Sequence, residues 1–378
     1  MNDKIKLKDA CKILNGFAFK SGKYVDSGIR IIRIANVQKG YVEDEKPAFY
    51  PNSEESSIRD YMLKENDLLL SLTGNVGRVA LLDKKWLPAA LNQRVACLRI
   101  KDDRIINDYL YFALLSDKFE NDCIKSSKGI AQKNMSTEWL KDYEIPLPSE
   151  QKQREIVSSL KQLSTIIKNK TGQIQQLDNL IKARFVEMFG GSKTYPIKPL
   201  SDIAEYWNGL TYKPTDVSND GTIVLRSSNI QNMQLDLNDI VRVKCDISNK
   251  KMVKENDILM CSRNGSAKLV GKVALIPSLQ EQMSFGAFMM IIRSEYYSYL
   301  MTYFQLPEFR SQISTGTTTI NQITRYMLDK VKLPVPDKAS IDEFAAFVAQ
   351  VDKSKFAVQK SLEKTQLLFD SLMQEYFG

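Results

Sequence analysis

The sequence of 378 residues predicts a mixed α/β (α+β) fold in which two related modules are each followed by a long helix. Three observations support this prediction. A series of similar phrases recurs in the same order at a nearly constant offset. Short apolar runs bounded by Gly, Asn and Asp fill most of each copy. The last part of each copy has helical periodicity and no proline. We expect the two helices to pack as an antiparallel coiled coil.

The repeat is clearest in KENDLLLSLTGN, which starts at Lys64, and KENDILMCSRNG, which starts at Lys254. Other pairs lie on both sides of it. LKDACKILNGFAFK matches LSDIAEYWNGLTYK, GIRIIRIANVQ matches GTIVLRSSNIQ, and IPLP matches LPVP. Matches in one order along both halves indicate an internal duplication, and the small drifts in offset indicate loop insertions and deletions.

Each copy divides into a module and a helix. Runs such as IRIIRIANV and DLLLSL predict strands, and residues 108–115 and 296–304 predict short helices. Paired prolines close each module, and Ser149 is a suitable N-cap for the first long helix. The predicted boundaries are residues 1–148 for the first module, 149–190 for the first helix, 191–337 for the second module and 338–378 for the second helix.

A repeat of about 3.5 residues in the two helices predicts the seam of the coiled coil. Gly172 interrupts it at a cost of roughly 1 kcal/mol relative to alanine. The alternative is that each helix lies on its own module. The predicted seam residues are Ile156, Leu160, Leu163, Ile167, Ile174, Leu177, Ile181, Met188, Phe344, Val348, Val351, Val358, Leu362, Phe369, Leu372 and Tyr376.

Composition limits the function classes. The sequence has a formal net charge of +8 and no histidine, and its five cysteines are never spaced as CxxC. These features disfavour a disulfide framework and a zinc site, so we expect no metal, and any catalysis would have to proceed without the commonest general base. Long apolar runs and an apolar N-terminal block are missing, so we expect a soluble, cytoplasmic chain that does not bind a membrane. The mild basic excess is compatible with binding to nucleic acid.

The order of module and helix, together with NGFAFKSG, KENDLLLSLTGNVGRVAL and KGIAQKNMSTEWLKDYEIPLPSEQ, resembles the specificity subunit of a type I restriction-modification system. The resemblance implies that each module is a target recognition domain that reads one half of an asymmetric bipartite sequence in double-stranded DNA. It also implies that the helices set the spacing of the halves and dock methyltransferase subunits. The second copy departs from the pattern, because it reads LPVPDKAS where the first reads IPLPSEQ.

The resemblance further implies a non-catalytic chain that works with two modification (methyltransferase) subunits and two restriction (motor nuclease) subunits. S-adenosylmethionine, ATP and Mg²⁺ are then expected on the partner subunits and no cofactor in this chain. The residues agree with this expectation. The sequence has no GxG turn and no Pro-Pro pair, and in GSAKLVGK the residue after the lysine is Val273 instead of Ser or Thr.

Candidate DNA-binding residues are Arg, Lys, Asn and Gln in polar loops, since these side chains bind guanine, adenine and phosphate. The alternative is that such loops are merely solvated turns. The candidates of the first module are Lys20, Ser21, Asn75, Arg78, Asn92, Gln93, Arg94, Lys128, Gln132, Lys133 and Asn134. Those of the second are Lys213, Arg263, Asn264, Lys268, Lys272, Thr317, Thr318, Asn321 and Gln322.

Two other functions remain open at this stage. The chain could be a non-catalytic scaffold whose duplicated modules bind proteins or glycans, although loops that bind proteins are more often apolar or aromatic. It could also be an independent enzyme, which the missing nucleotide motifs and histidines disfavour.

Overall fold

The structure, a computed structural model, describes residues 3–127, 134–190, 195–313 and 322–378. The chain forms two compact units. Unit 1 consists of Met1–Thr171 and Lys360–Gly378, and unit 2 consists of Gly172–Gln359. Each unit therefore combines one mixed module with one segment of each long helix, whereas the boundaries predicted from sequence separate modules from helices.

Unit 1 contains short strands followed by a helical region. Its strands are β1 (Lys4–Lys6), β2 (Cys11–Asn15), β3 (Ile29–Ile32), β4 (Phe49–Tyr50), β5 (Leu68–Ser71), β6 (Val79–Leu81), β7 (Ala89–Leu91), β8 (Val95–Ile100) and β9 (Glu144–Pro146). Its helices are α1 (Leu7–Ala10), α2 (Asn107–Leu115), α3 (Asp117–Ser126), α4 (Thr137–Asp142) and the start of the long helix α5 (Glu150–Phe189). The short helix predicted at 108–115 is thus α2.

Unit 2 repeats this order of elements. Its strands are β10 (Ile197–Pro199), β11 (Glu205–Asn208), β12 (Val217–Ser218), β13 (Thr222–Leu225), β14 (Ile230–Gln231), β15 (Gln234–Leu235), β16 (Arg242–Val243), β17 (Ile258–Cys261), β18 (Val273–Leu275), β19 (Met283–Phe285), β20 (Met289–Arg293) and β21 (Lys332–Pro334). Its helices are α6 (Tyr297–Tyr303), α7 (Pro307–Ile313), α8 (Arg325–Asp329) and the start of the long helix α9 (Lys338–Phe377).

The sheets confirm the duplication that the sequence predicts. Unit 1 has a four-stranded antiparallel sheet in the order β2-β8-β5-β6, and unit 2 has the same arrangement in β11-β20-β17-β18, extended by β15 and β14. A second sheet, β4-β3-β7 in unit 1, corresponds to β16-β13-β19 in unit 2, and its central strand pairs in parallel with β7 or β19. A two-stranded sheet, β1-β9 or β10-β21, closes each module.

The central strand of each larger sheet is buried on both faces, and this explains its continuous apolar sequence. In β5, Leu68 and Leu70 pack into one hydrophobic cluster, while Leu69 between them packs into another. In β17, Ile258 and Leu259 divide between two clusters in the same way. Alternate side chains of a strand point to opposite faces, so a strand with a core on each side reads as an uninterrupted run.

The repeated KEND phrase forms a turn. Asn66 and Asn256 have φ values of 65° and 66°, in the left-handed region that asparagine tolerates. The carboxylate of Asp67 accepts the N–H of Lys64 at 2.7 Å, and that of Asp257 accepts the N–H of Lys254 at 2.7 Å. The phrase therefore recurs because the same turn leads into the central strand of each unit.

Each of these buried aspartates also binds an arginine on the neighbouring strand. Arg99 donates to both oxygens of Asp67 at 2.7 and 2.6 Å, and Arg293 donates to both oxygens of Asp257 at 2.7 Å. These side-chain hydrogen bonds raise the pKa of both guanidinium groups. The carboxylates are 5% and 1% exposed, so each unit contains a buried charge that depends on its bidentate partner.

The long helices begin close to the predicted boundaries, and both have side-chain caps. The Ser149 hydroxyl accepts the N–H of Lys152 at 3.4 Å before α5, as the N-cap prediction requires. Asp337 accepts the N–H of Ser340 at 2.9 Å before α9, and these backbone hydrogen bonds lower the pKa of Asp337. The DKAS phrase, which departs from the first copy, therefore still provides a cap.

Inside unit 2, the segments of α5 and α9 pack on each other in antiparallel directions. Asp178 pairs with Lys355 at 2.6 Å, and further along α5, Arg184 pairs with Glu343 at 2.6 Å. Because the partners on α9 come in descending order, the two segments run in opposite directions. The ring of Phe344 lies 5.6 Å from Phe185, within the same aromatic cluster.

Unit 1 contains the matching contact between the start of α5 and the end of α9. The ammonium of Lys152 lies 5.9 Å from the ring of Tyr376. Ile156 and Leu160 share a hydrophobic cluster with Met373 and Phe377. All of the predicted seam residues, in both units, are buried or half-buried. These contacts disfavour the alternative in which each helix lies only on its own module.

The five cysteines are free thiols in the structure. Cys11, Cys97, Cys123 and Cys261 are buried, and Cys245 is exposed. Burial raises the pKa of Cys11 to about 12, so this thiol is protonated at neutral pH.

Candidate nucleic-acid interface

Backbone hydrogen bonds bring the predicted polar loops of unit 1 together at one surface. The N–H of Phe17, in the NGFAFK loop, donates to the carbonyl of Leu91 at 2.8 Å. The N–H of Gln93 donates back to Phe17 at 2.9 Å, and the N–H of Leu72 donates to Arg94 at 3.0 Å. The loop after β2, the loop after β5 and the triplet between β7 and β8 are therefore neighbours.

Two further segments join this surface. The N–H of Asn92 donates to the carbonyl of Ile32 at 3.2 Å, which brings in the loop after β3. The N–H of Met135 donates to Leu72 at 2.9 Å, and Asn134 forms a β-bridge with Thr73. Candidate loops that lie far apart in the sequence thus meet in one place.

Unit 2 builds an equivalent surface with matching bonds at four of these five positions. The N–H of Leu210 donates to Phe285 at 2.7 Å, and the N–H of Ser262 donates to Phe288 at 2.9 Å. Gly286 donates to Leu225 at 2.9 Å, which brings in the loop after β13. Together these segments form the loop cluster. In unit 1 it comprises residues 15–20, 33–36, 72–75, 92–94 and 134–135. In unit 2 it comprises residues 208–213, 226–229, 262–265, 286–288 and 322–323.

The glycine of each Asn-Gly pair is required by close packing in the loop cluster. A Cβ atom on Gly16 would lie 2.1 Å from the carbonyl oxygen of Asn92, and one on Gly209 would lie 2.2 Å from that of Gly286. Backbone from two segments comes into contact here, and this leaves no room for a Cβ atom. Lys251 donates to the Gly209 carbonyl at 3.0 Å, and burial lowers the pKa of this lysine.

A hydrogen-bonded asparagine fixes the loop after β3 and the loop after β13. Asn36 accepts the N–H of Arg33 at 2.8 Å and donates to the carbonyl of Glu43 at 2.8 Å. Asn229 accepts the N–H of Arg226 at 2.8 Å and makes the equivalent donation to Asp236 at 2.8 Å. Both asparagines are buried, so each R-x-x-N loop has a fixed backbone.

Sequence reasoning missed the arginines of these loops. Arg33 and Arg226 occupy equivalent positions, and the Nε atom of each is buried without a hydrogen-bond partner in the part of the chain that the structure describes. Arg226 Nη2 donates to Asp239 Oδ2 at 2.9 Å. The signal was present in the repeated phrases GIRIIRIANVQ and GTIVLRSSNIQ, where both residues recur at the same offset.

In unit 2 the loop cluster encloses a pocket of about 1180 Å³. It is cationic and partly aromatic, since Arg226, Arg263 and Phe288 line it and Asp239 is the one carboxylate among those of its lining residues that the structure describes. The ring of Phe288 is 60% exposed, and the guanidinium of Arg263 lies 5.5 Å from its centre. Asn264 donates to the Ser227 hydroxyl at 3.2 Å across the pocket wall.

The predicted DNA-binding residues differ in how exposed their side chains are. Arg78 is half-buried and donates to Gln38 at 2.5 Å, and Asn92, Asn264 and Lys272 are also half-buried. The exposed ones are Lys20, Ser21, Asn75, Gln93, Arg94, Asn134, Lys213, Arg263, Lys268 and Gln322. Lys128, Gln132, Lys133, Thr317, Thr318 and Asn321 lie outside the described residues. Contact with DNA stays a prediction for all of them.

Two searches of the described residues bear on other functions. None of the helices in those residues is long and apolar enough to cross a membrane. Among the same residues, no group of three or more His, Cys, Asp or Glu side chains is placed to hold a metal ion.

Comparison with known proteins connects this architecture to a family. The family described as "Type I restriction modification DNA specificity domain" matches residues 2–179 and again residues 192–367. The chain is 28% identical over 182 residues to the MjaVIII specificity subunit of Methanocaldococcus jannaschii, covering 47% of this chain and 43% of that subunit. It is 32% identical over 162 residues to the EcoAI specificity subunit of Escherichia coli, covering 42% of this chain and 27% of that subunit. These matches thus span less than half of either relative.

Longer matches are more distant. The EcoBI specificity subunit of Escherichia coli is 23% identical over 402 residues, covering 96% of this chain and 80% of that subunit. A crystal structure of the type I restriction-modification S subunit from M. genitalium aligns with a TM-score of 0.57 at 14% identity, covering 100% of this chain and 96% of that one. A structure from work on assembly and conformational transition of the type I R-M system aligns with a TM-score of 0.53 at 15% identity, covering 99% and 97%. These structures share the fold.

Because the family matches almost the entire chain in two consecutive copies, the chain belongs to the family of type I restriction-modification DNA specificity subunits.

Proposed function

We propose that this chain selects the DNA sequence for a type I restriction-modification complex, with each unit reading one half of an asymmetric bipartite target. The observation that carries the proposal is the loop cluster. Both units hold equivalent loops with largely matching backbone hydrogen bonds, but the side chains on them differ, as Thr73 and Arg263 illustrate. The two units thus share one backbone arrangement but carry different polar side chains on it. Different side chains can hydrogen-bond to different base edges, which suits recognition of two different half-sites.

The long helices would set the spacing of the half-sites and dock the methyltransferase subunits. Their predicted seam residues are buried or half-buried, which supports a stiff spacer. Outside the seam, large apolar side chains remain exposed on both helices, and apolar groups of this kind favour contact with partner proteins. They are Ile166, Leu180, Val186, Phe356, Leu367 and Leu368.

The chemistry would belong to the partner subunits. In this proposal the chain is not catalytic, and two modification subunits bind S-adenosylmethionine and methylate the DNA. Two restriction subunits use ATP and Mg²⁺ to translocate and cut it. The chain itself supplies polar loops that hydrogen-bond to base edges and phosphates. Its contribution to the complex is the choice of sequence.

The test is sequence selection by the chain assembled with its modification subunits, using a pool of random DNA duplexes. We expect one gapped, asymmetric sequence, bound with an affinity that falls steeply as salt rises. Replacing Arg263 and Asn264 by alanine should change the selected bases in one half only. Lys332→Ala is the matched control, since it removes an exposed positive charge of unit 2 that lies outside the loop cluster. Selection of no common sequence, or equal changes in both halves, would contradict the proposal.

A further inference from the structure

One backbone position in the loop cluster carries very different side chains in the two units. The carbonyl of Arg94 accepts the N–H of Leu72 at 3.0 Å, and the carbonyl of Phe288 accepts the N–H of Ser262 at 2.9 Å. Leu72 and Ser262 are themselves equivalent, since each lies eight residues after the lysine of its KEND phrase. Arg94 and Phe288 therefore occupy the same place, although the sequences around them are not similar.

The backbone around this position is the same in both units. Two residues before it, Asn92 forms a parallel bridge with Phe17, and Gly286 forms the same bridge with Leu210. Asn92 and Gly286 also donate their N–H groups to the last residue of the preceding parallel strand, Ile32 or Leu225. Because this bridge and this backbone hydrogen bond occur in both units, the units differ at this position in the side chain.

Phe288 is exposed although its neighbours in the chain are buried. Phe285 and Met289 are 0% and 1% exposed, whereas the ring of Phe288 is 60% exposed and stands at the pocket of unit 2. A phenyl ring has no hydrogen-bonding group, so it cannot read the donors and acceptors of a base edge. In the major groove it can contact the C5-methyl group that only thymine presents.

Arg94 offers the opposite chemistry. It is exposed, and among the described residues no carboxylate lies within ion-pair distance of its guanidinium. A free guanidinium can donate two parallel hydrogen bonds to O6 and N7 of guanine, the commonest specific contact between a protein and a base.

We infer that this position determines part of the difference between the two half-sites: Arg94 reads a guanine in one half, and Phe288 contacts the methyl group of a thymine in the other. The inference rests on the proposed function and adds to it the base read at one position of each half-site. Arg263, whose guanidinium lies beside the Phe288 ring, supports the orientation of that ring through a cation–π contact.

The first experiment exchanges the side chains in the intact chain assembled with its modification subunits. Duplex selection with Phe288→Arg should replace thymine by guanine at one position of one half-site, with a change in preference of about tenfold or more. Arg94→Phe should remove the preference for guanine at one position of the other half-site. Ile197→Arg adds the same charge at an exposed apolar site of unit 2 that does not line the pocket, and it should leave the selected sequence unchanged.

The second experiment changes single atoms of the DNA. Deoxyuridine in place of the selected thymine removes only the methyl group, and wild-type affinity should fall about fourfold, while Phe288→Ala should bind both duplexes equally. In the other half-site, 7-deazaguanine removes N7 and should weaken wild-type binding about tenfold, with no effect on Arg94→Ala.

The outcomes separate the two proposals. If the wild-type complex selects no gapped sequence, the proposed function itself fails. If it selects one, but Phe288→Arg and Arg94→Phe leave every base unchanged, only the assignment of this position fails. Changes in both half-sites from a single substitution, or a change from Ile197→Arg, would also overturn the assignment.

Discussion

At the residue scale, the most similar phrase of the two copies serves the fold. Asp67 and Asp257 bind a backbone N–H and an arginine, and neither lies in the loop cluster. Each bidentate pair offsets the cost of burying its two groups, and this compensation depends on both partners. Removing the charge of the aspartate would leave a partly buried guanidinium without its counter-ion.

We therefore predict that Asp257→Asn lowers the free energy of unfolding by about 3 kcal/mol, because breaking a buried ion pair leaves an uncompensated charge. Asp67→Asn should have a similar effect through Arg99. The measurement is the midpoint of urea unfolding at neutral pH. Glu54→Gln, which removes an exposed ion pair with Lys23, is the control and should barely shift the midpoint. An Asp257→Asn midpoint equal to that of the control would refute the prediction.

Residues in the loop cluster could be predicted from sequence only where their chemistry is polar. Asn75, Arg94 and Arg263 were found because Arg and Asn are the side chains that read bases. Phe288 was not found, because a phenylalanine in an apolar run gives no indication that its ring is exposed. Its equivalence to Arg94 depends on backbone hydrogen bonds between loops, and similarity of sequence does not report these.

At the element scale, α5 continues through Gly172 without a break. A Cβ atom at this glycine would meet no other atom within 4 Å, so an alanine fits in place. Gly77 is different. Its φ of +84° is unfavourable for any other residue, and a Cβ there would lie 2.9 Å from that of Cys123. The first glycine costs helix stability, whereas the second is required by the backbone.

Gly172→Ala should therefore raise the free energy of unfolding by up to about 1 kcal/mol, since alanine favours the helix over the unfolded chain. Gly77→Ala, the matched control, should lower it. Thermal unfolding followed by circular dichroism at 222 nm measures both changes. A lower melting temperature for Gly172→Ala would show that this point of α5 depends on the flexibility of glycine.

The helices were predictable because a period of about 3.5 residues persists over their whole length. The pairing of individual residues between the two helices was not predictable. Lys355 lies between the predicted seam residues Val351 and Val358, at the spacing of the repeat, where a charge costs stability. It is only 7% exposed and pairs with Asp178 of the other helix. The two residues lie 177 positions apart, and the periodicity of each helix alone does not fix the register between them.

At the scale of the whole molecule, the duplication has one physical consequence for recognition. Two copies of a DNA-recognition module within a single chain can diverge independently, as the different residues at the equivalent positions 94 and 288 illustrate. A symmetric dimer of one such module would be restricted to two identical half-sites. Internal duplication therefore suits an asymmetric target. The ordered repeats made this architecture predictable, because each matching phrase maps to the same strand or loop in both units.

Lengthening the helices should change the gap in the target and leave its two halves as they are. Four residues inserted after Lys168 add slightly more than one helical turn, or about 6 Å, so the apolar stripe nearly returns to its original face. A matching insertion in α9 allows the seam to form again. If the helices set the separation of the two readers, the insertion displaces one reading surface by roughly the rise of two base pairs and also rotates it slightly. The selected gap should then lengthen, while the bases of both half-sites remain the same.

Sequencing of the methylated sites in cells that carry each version, with Lys168→Ala as the control without an insertion, measures the gap and the half-sites together. An unchanged gap would mean that the spacing of the readers is fixed by the partner subunits, and the helices would then serve only to dock them.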